Sequence, residues 1–94
     1  MFDILLTDDG VVKLSGRLDA AEADRARRVL GTLDRPTTVD FSDLDYISSA
    51  GLSALIETYK RLHQAGHAFR LVRLKPRIRN VFTYAGLDRL LDIE

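Results

Sequence analysis

The residues that could do chemistry gather in one stretch, Asp40-Phe41-Ser42-Asp43-Leu44-Asp45-Tyr46-Ile47-Ser48-Ser49-Ala50-Gly51-Leu52. It holds three carboxylates and then two adjacent hydroxyls, just before a strongly helical run. A serine at a helix start commonly caps the unpaired N–H groups of the first turn. The same turn carries a partial positive charge. Ser48 or Ser49 suits either capping or contact with a visitor, and local spacing alone favours capping. Gly51 has no side chain, so another surface is expected to approach the backbone there. Asp40, Asp43 and Asp45 invite comparison with a magnesium site. Hard cations need several converging oxygens, so a solvated acidic loop is the simpler reading. His63 and His67 stand four apart, but Gly66 should end the helix between them and no third ligand is near.

Other chemistries are excluded by what is missing. With no cysteine there is no disulfide, thiol nucleophile or thiolate metal site. No glycine-rich phosphate loop and no Ser–His–Asp order occurs, so no cofactor is expected. No acid–base pair has supporting context, and the chain reads as a binding module rather than an enzyme.

The elements that must position the serines follow from periodicity. Phe2 to Leu6 reads as a strand, Asp8-Asp9-Gly10 as a turn, and Val11 to Leu14 as the returning strand, which Gly16 breaks. Ala20 to Leu33 reads as a helix capped by Asp19. Thr37 to Phe41 is a β-branched and aromatic strand, and Ser42 to Ile47 a loop. Leu52, Leu55, Ile56, Tyr59 and Leu62 form one apolar stripe on the next helix, which Gly66 closes. Ala68 to Leu74 reads as a strand. Pro76 opens a third helix, with Ile78, Val81, Phe82 and Ala85 inward and Gly86 at its end. Leu90 to Ile93 is a last short strand. Strands alternating with helices predict one α/β domain over residues 1 to 94: a mostly parallel sheet, an antiparallel N-terminal edge strand and helices packed on the sheet. In such sheets, sites lie beyond the carboxyl ends of the strands, and the serine turn occupies that place.

Ninety-four residues, 46% hydrophobic and 30% charged, suit one globular domain. Formal net charge is zero, but it is unevenly spread. Residues 58 to 87 hold seven cations (Lys60, Arg61, Arg70, Arg73, Lys75, Arg77, Arg79) and no acid. Such a segment suits steering toward a charged partner. No aromatic platform interleaves it, so direct nucleic-acid binding is not expected. No run is long and apolar enough to cross a bilayer. Met1-Phe2-Asp3-Ile4 lacks the basic start of a leader, so a cytoplasmic location without membrane insertion is expected.

Four pieces together resemble the STAS domain of sulfate transporters and anti-sigma factor antagonists. They are Gly16-Arg17-Leu18-Asp19, Val39-Asp40-Phe41-Ser42, Tyr46-Ile47-Ser48-Ser49-Ala50-Gly51-Leu52 and Thr83-Tyr84-Ala85-Gly86-Leu87. The resemblance runs from about residue 2 to residue 93. It implies a bacterial partner-switching regulator. In that family a serine at the start of the central helix is phosphorylated by a partner anti-sigma factor or related serine kinase. A metal-dependent serine phosphatase restores the binding form. Many members read Asp-Ser-Ser-Gly here, with the acceptor directly before glycine; this chain has Ala50 in that place. The resemblance therefore implies either Ser49 as acceptor, with Ser48 as fallback, or a chain that is not phosphorylated and binds constitutively. The implied partner surface is Asp19, Asp43, Asp45, Ser48, Ser49, Ala50, Gly51, Leu52 and Ser53. The alternative it allows is a separate subunit that docks the ATPase of a lipid ABC transporter through the same helix. Relatives often continue with a helix after the last strand. None is expected here, and the sheet face left bare would be apolar and open to a homodimer.

Overall fold

The computed structural model describes residues Met1–Glu94. Strand β1 (Asp3–Leu6) turns back into β2 (Val11–Leu18). Helix α1 (Ala23–Leu30), strand β3 (Thr37–Ile47), helix α2 (Ser49–Gln64), strand β4 (Phe69–Val72) and helix α3 (Pro76–Tyr84) follow. A 3₁₀ turn (Leu87–Arg89) and strand β5 (Asp92–Ile93) close the chain. The sheet order is β1-β2-β3-β4-β5. Only β1 is antiparallel to its neighbour; the other three pairings are parallel.

That order decides where the helices go. Each crossover advances one strand in the same direction. With right-handed connections, all three helices must then cover the same face. Burial agrees: Val12, Leu14, Val39, Phe41, Phe69 and Leu71 are buried beneath the helices, while the alternating Lys13, Ser15, Thr38, Arg70 and Val72 are not. Phe41 meets Phe82 of α3 edge-to-face, with ring centroids 5.8 Å apart.

The uncovered face differs from the bare apolar surface expected of it. It carries ion pairs strand by strand: Lys13 with Asp43 at 3.0 Å, Arg73 with Asp40 at 2.9 Å, and Arg70 with Asp92 and Glu94. Side chains alternate across a strand, and here the solvent-side positions are mostly charged.

Other boundaries also move. Gly16 does not break β2. It sits at φ +79° among register shifts, and the strand runs on to Leu18. A glycine absorbs such a bulge without the penalty of a side chain. Ser42 to Ile47 is not a loop but the second half of β3, with Asp43, Leu44, Tyr46 and Ile47 opposite Ser15, Gly16, Arg17 and Leu18. The acids suggested a loop; backbone pairing to the lengthened β2 prevails over that local preference. Helix α1 starts at Ala23, and Asp19 is not its cap: Asp19 Oδ1 accepts from Glu22 N at 3.2 Å, closing the turn ahead of the helix. After α2, His67 N bonds Leu62 O at 2.8 Å and Gly66 N bonds His63 O at 3.0 Å. With Gly66 at φ +82°, this is a Schellman ending.

Candidate functional site

Parallel strands point their carboxyl ends to one end of the domain; Leu18 and Ile47 finish side by side, while β4 stops earlier, with Val72 opposite Asp40. The Leu18–Ile47 pair sets the entry to α2. Ser48 N donates to Leu18 O at 2.9 Å, and Asp19, the residue after Leu18, comes beside the serine turn. Ser48 is extended, at φ −91° and ψ 171°, and its Oγ accepts from Gly51 N at 3.1 Å. Its backbone carbonyl takes the first helical bond, from Leu52 N at 2.9 Å. Ser48 is thus the N-cap, with its hydroxyl engaged.

Ser49 is the first helical residue. It is exposed, and its hydroxyl makes no hydrogen bond within the chain. The first turn of α2 contains no acid, so no carboxylate of its own offsets the positive end of the helix. Ser53, one turn on, is also exposed; Ala50 and Leu52 are half-buried.

Gly51 does something other than what was expected of it. It is buried, and what approaches it is the chain itself. A Cβ there would lie 2.8 Å from Leu18 Cγ and 3.0 Å from Ile47 Cγ1. The glycine seats the helix start on the ends of β2 and β3.

The three carboxylates do not converge. Asp43 pairs with Lys13, and Asp45 Oδ1 meets Lys75 Nζ at 2.6 Å. Asp40 is buried under Arg73, whose Nε and Nη2 donate to its two oxygens at 3.2 and 2.9 Å, while Ser42 N donates to Oδ1 at 2.9 Å. The Arg73 fork, helped by Ser42 N–H, holds the Asp40 carboxyl down to about 2. The Lys75 ammonium likewise lowers that of Asp45. Each acid is therefore compensated by its own cation. Arg73 reaches Asp40 from a left-handed backbone, φ 58°.

Sequence reasoning missed several residues at this end. The Arg17 guanidinium lies 4.3 Å from the centre of the Tyr46 ring, beside the Lys75–Asp45 pair. Arg17 and Tyr46 are register partners. The only available signal was the rule that strand ends cluster, applied to Arg17 and Lys75 as well as to the serines.

Comparison with known proteins agrees with this architecture. Residues 5–92 match the family model described as "Mlab, STAS domain". BtrV of Bordetella bronchiseptica, to which an anti-sigma factor antagonist role is ascribed, is 35% identical over an alignment covering 78% of this chain. That alignment covers 66% of BtrV, so the chain spans slightly under two thirds of that relative's length. An anti-sigma factor antagonist from Mycobacterium paratuberculosis superposes with a TM-score of 0.81 at 25% identity, over 99% of this chain and 83% of the other. The Bacillus cell fate determinant SpoIIAA in its phosphorylated form shares the fold, with a TM-score of 0.73 at 19% identity over 100% of this chain and 91% of that one. With the match spanning nearly the whole chain, and with the strand order and the serine turn in place, this protein belongs to the STAS domain family.

Proposed function

We infer that this chain is an anti-sigma factor antagonist or related partner-switching regulator, with the serine turn as its contact surface. The partner is an anti-sigma factor or serine kinase, and control is by phosphorylation of Ser49. One observation carries the choice of serine. Ser48 spends its hydroxyl on the Gly51 amide, while Ser49 stands exposed with its hydroxyl free. A kinase can reach Ser49 without dismantling the cap. A metal-dependent serine phosphatase would return the chain to its binding form. The surface includes Asp19, Ala50, Leu52 and Ser53 around the serines, with Asp43 and Asp45 at its margin. The kinship to BtrV and the existence of SpoIIAA in a phosphorylated form support this reading. The domain is read as non-enzymatic.

Phosphate on Ser49 would add about −1.5 to −2 charges at neutral pH. At the first position of α2 that charge meets the favourable end of the helix dipole. The switch therefore acts on the interface and not on folding. Because Asp43 and Asp45 are already paired with lysines, added bulk and charge at the contact matter more than repulsion from those acids. The test is calorimetry of the cognate kinase with wild type and Ser49→Asp, joined to mass spectrometry after incubation with kinase and ATP. Phosphate on Ser49 and weakened binding by Ser49→Asp are expected. Equal binding by the two, or phosphate on Ser48, would reject the assignment.

A second reading is favoured by Ala50, which leaves the usual acceptor position without a hydroxyl. The chain would then dock a transporter ATPase constitutively through the same helix start. Binding of such an ATPase with no phosphate gained from any serine kinase would select it.

A further inference from the structure

Most of the fourteen Lys and Arg side chains reach a carboxylate or carbonyl of the chain. Arg17, Arg28, Lys60, Arg77 and Arg89 do not, and all five are exposed. Three of these still have an acid close along the sequence. Arg28 and Lys60 stand one helical turn after Asp24 and Glu57, and Arg89 directly follows Asp88. Arg17 and Arg77 differ. Asp19, two residues on from Arg17, gives its Oδ1 to Glu22 N. The first turn of α3, which holds Arg77, contains no acid.

The fold brings these two cations to the same carboxylate. Arg17 opposes Tyr46 one rung before the end of the β2–β3 pairing, stacked 4.3 Å from its ring centre. The last rung, Leu18–Ile47, is the one that Ser48 N bonds. Side chains alternate along a strand, so Arg17 and Tyr46 stand on the face away from the helices. The Arg17 charge acts on neighbouring Asp45. Asp45 lies with Lys75, Pro76, Arg77 and Ile78 around an open depression of ≈ 480 Å³. Lys75 already holds Asp45 at 2.6 Å. Three cations therefore border one acid that has its partner. The rim is also set in place beforehand: Arg73 is pinned to Asp40, Lys75 to Asp45, and Pro76 fixes the backbone entering α3. Cations held this way lose little freedom on binding.

We propose that Arg17, Lys75 and Arg77 form a docking rim for an acidic peptide segment, carried by the same protein partner that meets the serine turn. The proposal rests on the serine-turn reading for where that partner sits, and adds the chemistry it brings. Two observations favour a peptide over other polyanions. Tyr46 stands alone and already stacks with Arg17, so there is no row of rings for successive bases. Asp43 and Asp45 are exposed beside the cations and would repel a uniformly anionic membrane surface. A peptide can place its carboxylates on Arg17 and Arg77 alone.

The first arm of the test titrates the full chain, isotopically labelled, with a synthetic glutamate-rich peptide. Saturable amide shifts at Arg17, Tyr46, Lys75 and Arg77 are expected, larger than those at Arg28, Lys60 and Arg89. A lysine-rich peptide should cause none. Equal shifts at all the free cations would overturn the proposal, as would an equal response to a single-stranded oligonucleotide or to phosphatidylserine vesicles. The second arm is calorimetry with the cognate kinase. An Arg17→Glu, Arg77→Glu double variant should bind about tenfold more weakly than wild type, and the milder Arg17→Gln, Arg77→Gln about threefold, since each exposed pair contributes modestly. Raising salt from about 0.05 M to about 0.5 M should weaken wild type more than the glutamate variant. Binding by both variants equal to wild type would overturn the rim and leave the Ser49 reading standing. Weaker binding by both, with Ser49→Asp unaffected, would support the rim and remove the switch. The peptide arm needs no kinase, so the two readings fail separately.

Discussion

Removing the Ser48 hydroxyl takes away the acceptor for the Gly51 amide, so Ser48→Ala should cost about 1 kcal/mol in urea unfolding. Ser49→Ala and Ser49→Asp remove no bond and should stay within about 0.5 kcal/mol of wild type, whatever they do to binding. A cost for Ser49→Ala as large as that for Ser48→Ala would show that the roles are exchanged. Asp40 makes a second residue-scale prediction. Its folded pKa, about 2, lies below the usual 3.8. Its contribution is therefore present above pH 4 and lost as pH falls toward 2. Arg73 is largely solvated, which screens the pair. The contribution should be of the order of 1 kcal/mol. Asp40→Asn should be less stable than wild type at pH 7, and the two unfolding curves should merge near pH 2. A gap that persists at low pH would mean that packing, not charge, sets the difference.

At the scale of elements, α2 is located by contacts at both ends. Gly51→Ala should improve helix propensity by about 1 kcal/mol. The new methyl, however, meets the branch carbon of fully buried Leu18, and overpacking of this kind costs about 1–3 kcal/mol. The net effect should be destabilising, with amide shifts spreading into the ends of β2 and β3. A more stable Gly51→Ala protein with those shifts unchanged would show that the seat has slack. Arg61 ties α2 to the far end of α1 by donating to the carbonyl of Leu30, the last helical residue, and to that of Leu33 in the turn beyond it. Arg61→Met keeps the stem but not the donors, and should cost about 1–2 kcal/mol in thermal or urea unfolding.

For the whole molecule, the unequal strands set an order of stability. Strand β3 is hydrogen-bonded on both sides, whereas β5 has two residues at an edge. Much of what holds β5 is ionic or terminal: Arg70 with Asp92 and Glu94, Arg79 with Glu94 O, and Glu94 N with Leu71 O. At about 1 M salt the screening length falls to about 3 Å. Hydrogen exchange at Ile93 and Glu94 should then quicken while Val39 and Phe41 stay protected. Uniform loss of protection would indicate global opening instead. The open sheet face, with its cations and acids matched across strands, gives no reason for pairing two copies face to face.

The alternation of strand and helix, the inward Ile78 and Phe82 of α3 and the serine turn before α2 were legible from spacing alone, whereas Ala85, expected inward with them, is exposed just past the helix end. These depend on short-range periodicity and on Gly66 and Pro76, which act on their own backbone. The second half of β3 was not legible, because Asp43 and Asp45 favour a loop locally and only pairing with β2 keeps them in a strand. Nor could spacing tell Ser48 from Ser49. One hydrogen bond to Gly51 divides their roles, and it exists because Leu18 and Ile47 fix the angle at which α2 leaves the sheet. Which cations are spent and which are free was equally hidden. An ion pair joins residues about thirty positions apart, and its partners are chosen by strand register and helix facing, which exist only once the chain has closed on itself.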